Sequence, residues 1–182
     1  MASGLLLRFF ERVTRLSFGD LSLDDPPAAT YLADLLTRFA RAEVLYAVRD
    51  LPSRRLEGVT DTLLAIQQAW DESSPGFNPE SERALRRRIG DYTLFMTGVF
   101  REHVERLAVT GYYQQEGRRA YRFVSEIARA EGQAEAPLFR RLSDRFEHYA
   151  GVLSYARKVY MRADQWPEGE WPGDSFSRLL ST

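Results

Sequence analysis

The sequence predicts an all-α protein: a single compact bundle of about six helices followed by an extended C-terminal tail. Three observations predict it. Apolar residues recur at spacings of three and four through several long stretches, which is the period of a helix with one buried face. The breaks between those stretches are rich in Pro, Gly, Asn and Asp. Hydrophobic residues make up 44% and aromatics 13% of 182 residues, enough for one real core. No repeat at solenoid spacing and no second domain is visible. Residues 1–163 read as the bundle, and residues 164–182 as a tail that packs on the bundle or on a partner.

The first helix spans roughly Gly4 to Ser17. Leu5, Leu6, Phe9, Phe10, Val13 and Leu16 form a wide apolar face, and Arg8, Arg12 and Arg15 form a basic strip opposite. Such a helix packs on its own domain; the alternatives are docking onto a protein partner or peripheral contact with a membrane surface. The connector FGDLSLDDPP follows, with Asp24 or Asp25 as the cap of a second helix that runs to about Val48. Its stripe is Leu32, Leu35, Leu36, Phe39, Glu43 and Tyr46, so Glu43 is an ionisable group on an apolar face. Leu51-Pro52-Ser53 breaks the chain. A third helix runs from about Arg54 to Glu72, with Leu56, Val59, Leu63, Ile66 and Trp70 inward. SSPGFNP then signals a loop.

The central helix is expected over Pro79 to Leu107. Its stripe is Leu85, Ile89, Tyr92, Met96, Val99 and Leu107, with His103 where another apolar residue belongs. Asn78 is the expected cap. Gly90 and Gly98 each cost about 1 kcal/mol relative to alanine in a helix interior, so close approach of a neighbour is the expected compensation. Asp91 lies among Tyr92, Leu94 and Phe95 and needs an arginine or a backbone donor. Gly111 is the expected turn. A fifth helix, Tyr113 to Glu131, carries Tyr113, Gly117, Tyr121, Val124, Ile127 and Ala128 inward and is closed by Gly132. The last, Pro137 to Met161, carries Leu138, Leu142, Phe146, Tyr149, Leu153, Ala156 and Tyr160 inward. His148 falls beside that stripe, with Asp144 one turn earlier. The tail DQWPEGEWPGD places Trp166 and Trp171 among Asp164, Glu168, Glu170 and Asp174. It reads as a strap across the bundle or as a ligand strand for a partner.

Net charge is −1, which argues against a nucleic-acid binder that works by counterion release. Lysine occurs once, at Lys158, against 24 arginines, the mark of a GC-rich and therefore bacterial coding sequence. The absence of cysteine excludes disulfides, thiolate metal sites and cysteine nucleophiles. The run Leu5–Leu7 is soon interrupted by Arg8, Glu11 and Arg12, unlike a signal peptide, and no stretch approaches a membrane span. The expected location is cytoplasmic.

Two elements, GDYTLFMTGVF and GYYQQEGRRAYRFVSEIA, resemble a family of uncharacterised bacterial helical proteins. That family carries a GD-x-x-LF-x-x-G-x-F element, a YY pair and a G-x-x-AY element. The matching residues are Gly90, Asp91, Leu94, Phe95, Gly98 and Phe100, then Tyr112 and Tyr113, then Gly117, Ala120 and Tyr121. The resemblance implies no activity. It does imply that the glycines, Asp91 and the tyrosines form a unit at which two helices pack closely.

Glu43, Asp91 and His103 are the candidates for a buried polar network or a ligand site. Inward carboxylates and histidines on facing helices are how bundles hold metals. The Glu-x-x-His pairing of di-iron bundles is absent, because Phe100 precedes His103 by three and Arg145 precedes His148 by three. No cofactor is predicted. A metal ion (iron, manganese or zinc) held by Glu43, Asp91, His103, Asp144 or His148 is the lesser alternative. No nucleophile elbow, Walker loop, dinucleotide fingerprint or His-Glu-x-x-His motif is present, and no catalytic residue is assigned. Arg86, Arg87 and Arg88 read as a solvated surface, or as a receptor for the acidic tail. The expected function is protein–protein interaction, as an adaptor or accessory protein that binds a partner or self-associates as a homodimer. Arg8, Arg12, Arg15, Trp166 and Trp171 are the interaction candidates. The alternative is a metal-dependent or small-ligand-binding helical enzyme using Glu43, Asp91 and His103.

Overall fold

The computed structural model describes residues 2–47 and 79–165. Among them are seven α-helices and no strand: α1 Ala2–Asp20, α2 Pro26–Ala47, α3 Pro79–Val99, α4 Arg101–Arg106, α5 Thr110–Ala130, α6 Ala136–Asp144 and α7 Phe146–Val159. A 3₁₀ turn follows at Ala163–Gln165. The all-α bundle is as the periodicity predicts. The helix expected between Arg54 and Glu72, the cap at Asn78 and the two Trp-Pro pairs lie outside the described residues. No helix among the described residues is long and apolar enough to cross a membrane.

α3 is the central element. It packs along α5 on one side and α7 on another, and it touches α2. α1 and α2 pair with each other, α1 also lies on α7, and α6 folds back on α5. Phe10, Leu32, Leu94, Tyr121, Phe139, Phe146 and Leu153 are all fully enclosed in one continuous core. Buried hydroxyls on these helices are satisfied mostly at home. Ser17, Thr37, Thr93 and Thr97 each donate to the carbonyl four residues back, at 2.7–2.8 Å. Ser125 and Ser143 instead tie α5 and α6 together, donating to the carbonyls of Ala136 (2.9 Å) and Arg118 (2.8 Å).

Two expected helices are each two. The stretch Pro79–Leu107 breaks at Phe100, whose φ/ψ of −109°/34° leaves the helical region. The His103 amide turns to the Phe100 carbonyl (3.0 Å), and the guanidinium of Arg157 on α7 takes the Val99 carbonyl. α7 also presses on this turn. A Cβ on Gly98 would lie 2.5 Å from Leu153 Cβ and 3.1 Å from the Ala150 carbonyl oxygen. The break resets the helical phase, so Val104 is buried while Leu107, expected inward, is 49% exposed. The second break is at Arg145 (φ/ψ −116°/30°). It sets the Phe146 ring where any side chain on Gly117 would overlap both that ring and Thr93 Oγ1.

Helix ends reuse one device. Gly132 (φ 67°) closes α5 as expected, with Gly132 N–H on the Arg129 carbonyl (3.1 Å) and Gln133 N–H on the Ala128 carbonyl (2.8 Å). Ser22 (φ 52°) and Ala108 (φ 56°) occupy the same left-handed position after α1 and α4. The turn after the central stretch is therefore at Ala108, and Gly111 lies inside α5. The left-handed conformation disfavours a β-carbon by about 1–2 kcal/mol. Ala108→Gly is expected to stabilise the protein by about 1 kcal/mol. Gly117→Ala is expected to destabilise it by about 1–3 kcal/mol through overpacking. Urea unfolding of the two variants should therefore move in opposite directions.

Candidate functional site

Asp91 sits in the middle of α3 with its side chain 3% exposed. A carboxylate there has to be matched by donors that the bundle supplies. α2 supplies two. Tyr31 donates to Oδ1 at 2.5 Å and Arg38 to Oδ2 at 2.8 Å. Those residues are seven apart, two turns along one helical face, so one face of α2 delivers both. α5 supplies the third: Tyr121 donates to Oδ1 at 2.8 Å. Arg38 also pairs with Asp34 one turn before it (2.9 Å), which fixes its direction.

The preceding glycine makes this geometry possible. A Cβ on Gly90 would lie 2.7–2.9 Å from three carbons of the Tyr121 ring. Gly90 thus makes room for the ring whose hydroxyl the next residue accepts. Tyr31 and Tyr121 meet edge to face (centroids 6.4 Å apart), and both pack on Phe139 of α6, at 5.5 and 5.9 Å. The Arg87 guanidinium covers this group from outside, 5.3 Å from the centroids of both Tyr31 and Phe139. Burial, then the charge of Asp91, pushes the Tyr31 and Tyr121 hydroxyls up, so both stay protonated donors. Burial works against the charge on Arg38, but Asp91 more than restores it. Both oxygens of Asp91 are engaged, Oδ1 by two tyrosine hydroxyls and Oδ2 by Arg38.

The other sequence-predicted candidates do not join it. Asp91 and His103 are twelve residues apart along the chain, about 18 Å of helix rise, and the Phe100 break lies between them. His103 is half-buried. Its Nε2 is enclosed and has no hydrogen-bond partner among the described residues, so it does not join the buried polar network around Asp91. Burial, with Arg106 nearby, pushes its imidazole down and favours the neutral form. Asp144 and His148 are both exposed, and Asp144 pairs with Arg140 on its own helix (2.9 Å). The Glu43 side chain lies outside the described residues, although its backbone belongs to α2. No group of three His, Asp or Glu side chains is gathered as a metal would need among the described residues. Among the described residues a crevice of about 80 Å³ opens between α3, α4, α5 and α7, beside Thr97, Arg101, Gln114 and Glu147. Small-molecule sites usually offer roughly 300 Å³ or more.

A second cluster is invisible to stripe reading. Asp25 caps α2: its Oδ1 accepts the Ala28 amide at 3.2 Å, and Pro26 and Pro27 occupy the first turn without needing acceptors. Arg141 of α6 forks onto the same carboxylate at 2.8 and 3.1 Å, and Tyr149 of α7 donates to it at 2.7 Å. Burial pushes the Asp25 carboxyl up, but the Arg141, Tyr149 and Ala28 bonds together outweigh it and hold it below the usual carboxylate range. Burial, and then its bond to Asp25, raises the Tyr149 hydroxyl to about 12. At the end of α1, Asp20 accepts the hydroxyls of Tyr155 (3.0 Å) and Tyr160. The cap choice at Asp24 or Asp25 is legible in sequence. The arginine and tyrosine more than a hundred residues away are not.

Of the basic run, Arg86 pairs with Glu82 (3.4 Å) and lies 5.0 Å from the Phe123 centroid, and Arg87 covers Tyr31 and Phe139. These two arginines are partly buried on the bundle, and Arg88 is exposed. No protein-family model, curated protein or solved structure matches the chain.

Two outcomes test the carboxylate clusters. Asp91→Ala leaves two buried hydroxyls and Arg38 without their acceptor and is expected to lose about 3–5 kcal/mol. Tyr31→Phe keeps two donors on Asp91 and should lose about 1 kcal/mol. Denaturant titration of both variants checks the order. For Asp25 the folded pKa is depressed, so its stabilisation is complete above the unfolded value of about 3.9 and is lost as pH falls through the folded value. The stability gap between the native chain and Asp25→Asn should be wide at neutral pH and close below about pH 4; a gap that persists unchanged at pH 2–3 would contradict the depressed pKa.

Proposed function

We propose that this protein is an interaction module that binds an acidic polypeptide segment along the outward face of α1. The observation that carries the reading is the division of α1 into two working sides. Phe9, Phe10, Val13 and Phe18 are buried in the core. The opposite side presents Arg8, Arg12 and Arg15, with Leu5 at 67% exposure near one end and Leu16 at 37% near the other. Leucines framing a basic strip suit a partner that brings acidic groups between two apolar anchors. A membrane surface fits less well. A helix lying on lipid turns its continuous apolar face outward, and here that face is occupied by the core.

The test places a photo-crosslinking residue at Leu5 and, as a control, at Glu126 on the exposed side of α5. A partner should be trapped from position 5 and not from position 126. Arg8→Glu with Arg15→Glu should reduce that trapping at least tenfold, with the fold unchanged by circular dichroism. Equal trapping at both positions, or trapping indifferent to the charge reversal, would remove the reading.

A further inference from the structure

The crevice between α3, α4, α5 and α7 holds polar groups that the fold does not use up. Its volume of about 80 Å³ is several times the roughly 15 Å³ that one water needs, and well below the sites of drug-sized ligands. An occupant has to be a molecule of few atoms. Residues beside both helix breaks line it: Thr97 before Phe100, Arg101 and Val104 after it, and Glu147 after Arg145. Thr110 and Gln114 enter from the start of α5.

These groups differ in charge and keep open positions. Among the described residues Arg101 engages only its Nε, which donates to Glu105 at 2.8 Å, so both Nη groups are open. Glu147 accepts Nη1 of Arg118 on Oε1 at 3.1 Å, and its Oε2 is open. The Thr97 hydroxyl donates its hydrogen to the Thr93 carbonyl (2.7 Å), so toward the crevice it can only accept. The side chains of Thr110 and Gln114 are half-buried and make no hydrogen bond among the described residues. Val104 and Ala150, both buried, supply the apolar part of the lining.

A cation and a carboxylate on different helices discriminate by charge. A simple anion would meet Glu147, and a simple cation would meet Arg101; a ligand carrying both charges satisfies both. The geometry points to a binding site for a small zwitterionic α-amino acid. Its carboxylate faces Arg101, its ammonium faces Glu147 and the Thr97 oxygen, and a short side chain rests on Val104 and Ala150. Gln114 suits either end, because its amide both donates and accepts. No residue of α1 lines the crevice, so this site is independent of the docking face.

The test is an amide-shift titration of the isotope-labelled full chain with L-alanine, propionate, ethylamine and L-tryptophan. L-Alanine should give saturable shifts centred on the crevice residues of α3, α4, α5 and α7, at about millimolar affinity. Propionate and ethylamine each keep one of the two charges and should bind at least tenfold more weakly. L-Tryptophan keeps both but exceeds the volume, and should also bind at least tenfold more weakly. Arg101→Gln and Glu147→Gln, both at exposed positions, should each weaken L-alanine at least tenfold with circular dichroism unchanged. If either variant loses its fold, the ligand series on the native chain decides alone. No saturable shift with L-alanine up to about 20 mM would overturn the proposal. Propionate or ethylamine binding as tightly as L-alanine would make this a simple ion site and overturn it. L-Tryptophan binding as tightly, or L-alanine binding unchanged in both folded variants, would place the ligand elsewhere and overturn it too.

Discussion

A carboxylate buried in the middle of the central helix is the constraint on which the arrangement of this bundle depends. Asp91 is enclosed by α2, α3 and α5, and an uncompensated charge there would destabilise the fold by several kcal/mol. Compensation requires Tyr31, Arg38 and Tyr121 at hydrogen-bond distance at the same time. That requirement fixes the rotation of α2 and the distance of α5, which Gly90 permits. Phe139 and Arg87 then close the group, one from the core and one from the solvent side. Apolar packing alone tolerates small slides and rotations of helices; a three-donor carboxylate does not, because each hydrogen bond weakens steeply with distance and angle.

The same chemistry recurs at the corner between α1 and α2. Asp20 and Asp25 stand on either side of that corner and are held by Tyr155, Tyr160 and Tyr149 from the end of the chain, with Arg141 added at Asp25. Tyrosine suits the role because its ring fills core volume while its tip supplies one neutral donor. These contacts join residues more than a hundred positions apart and fasten the first helical pair to the last.

α1 shows how one helix serves two purposes. Its aromatic side completes the core, and its other side exposes Arg8 and Arg15. Most of the other arginines of the bundle are committed to acids, rings or carbonyls of their own chain. The exposed Arg8 and Arg15 on that side of α1 are the feature the docking proposal interprets.

The sequence by itself determined the class of the fold and most of the inward faces, because helical periodicity is local: spacings of three and four are present whatever the helix packs against. It also marked Gly90 and Asp91 as unusual for their positions, and the structure sets both against Tyr121. Helix breaks at Phe100 and Arg145 were not legible, since each goes with a contact from a distant element: Arg157 and Leu153 at the first, the seating of Phe146 against Gly117 at the second. Leu107 faces outward for the same reason, its phase being set by a break that periodicity cannot see. The partners of Asp91 lie 60, 53 and 30 residues away. A stripe identifies which residues turn inward, but which of them meet is decided by how whole helices cross, and only the tertiary structure supplies that.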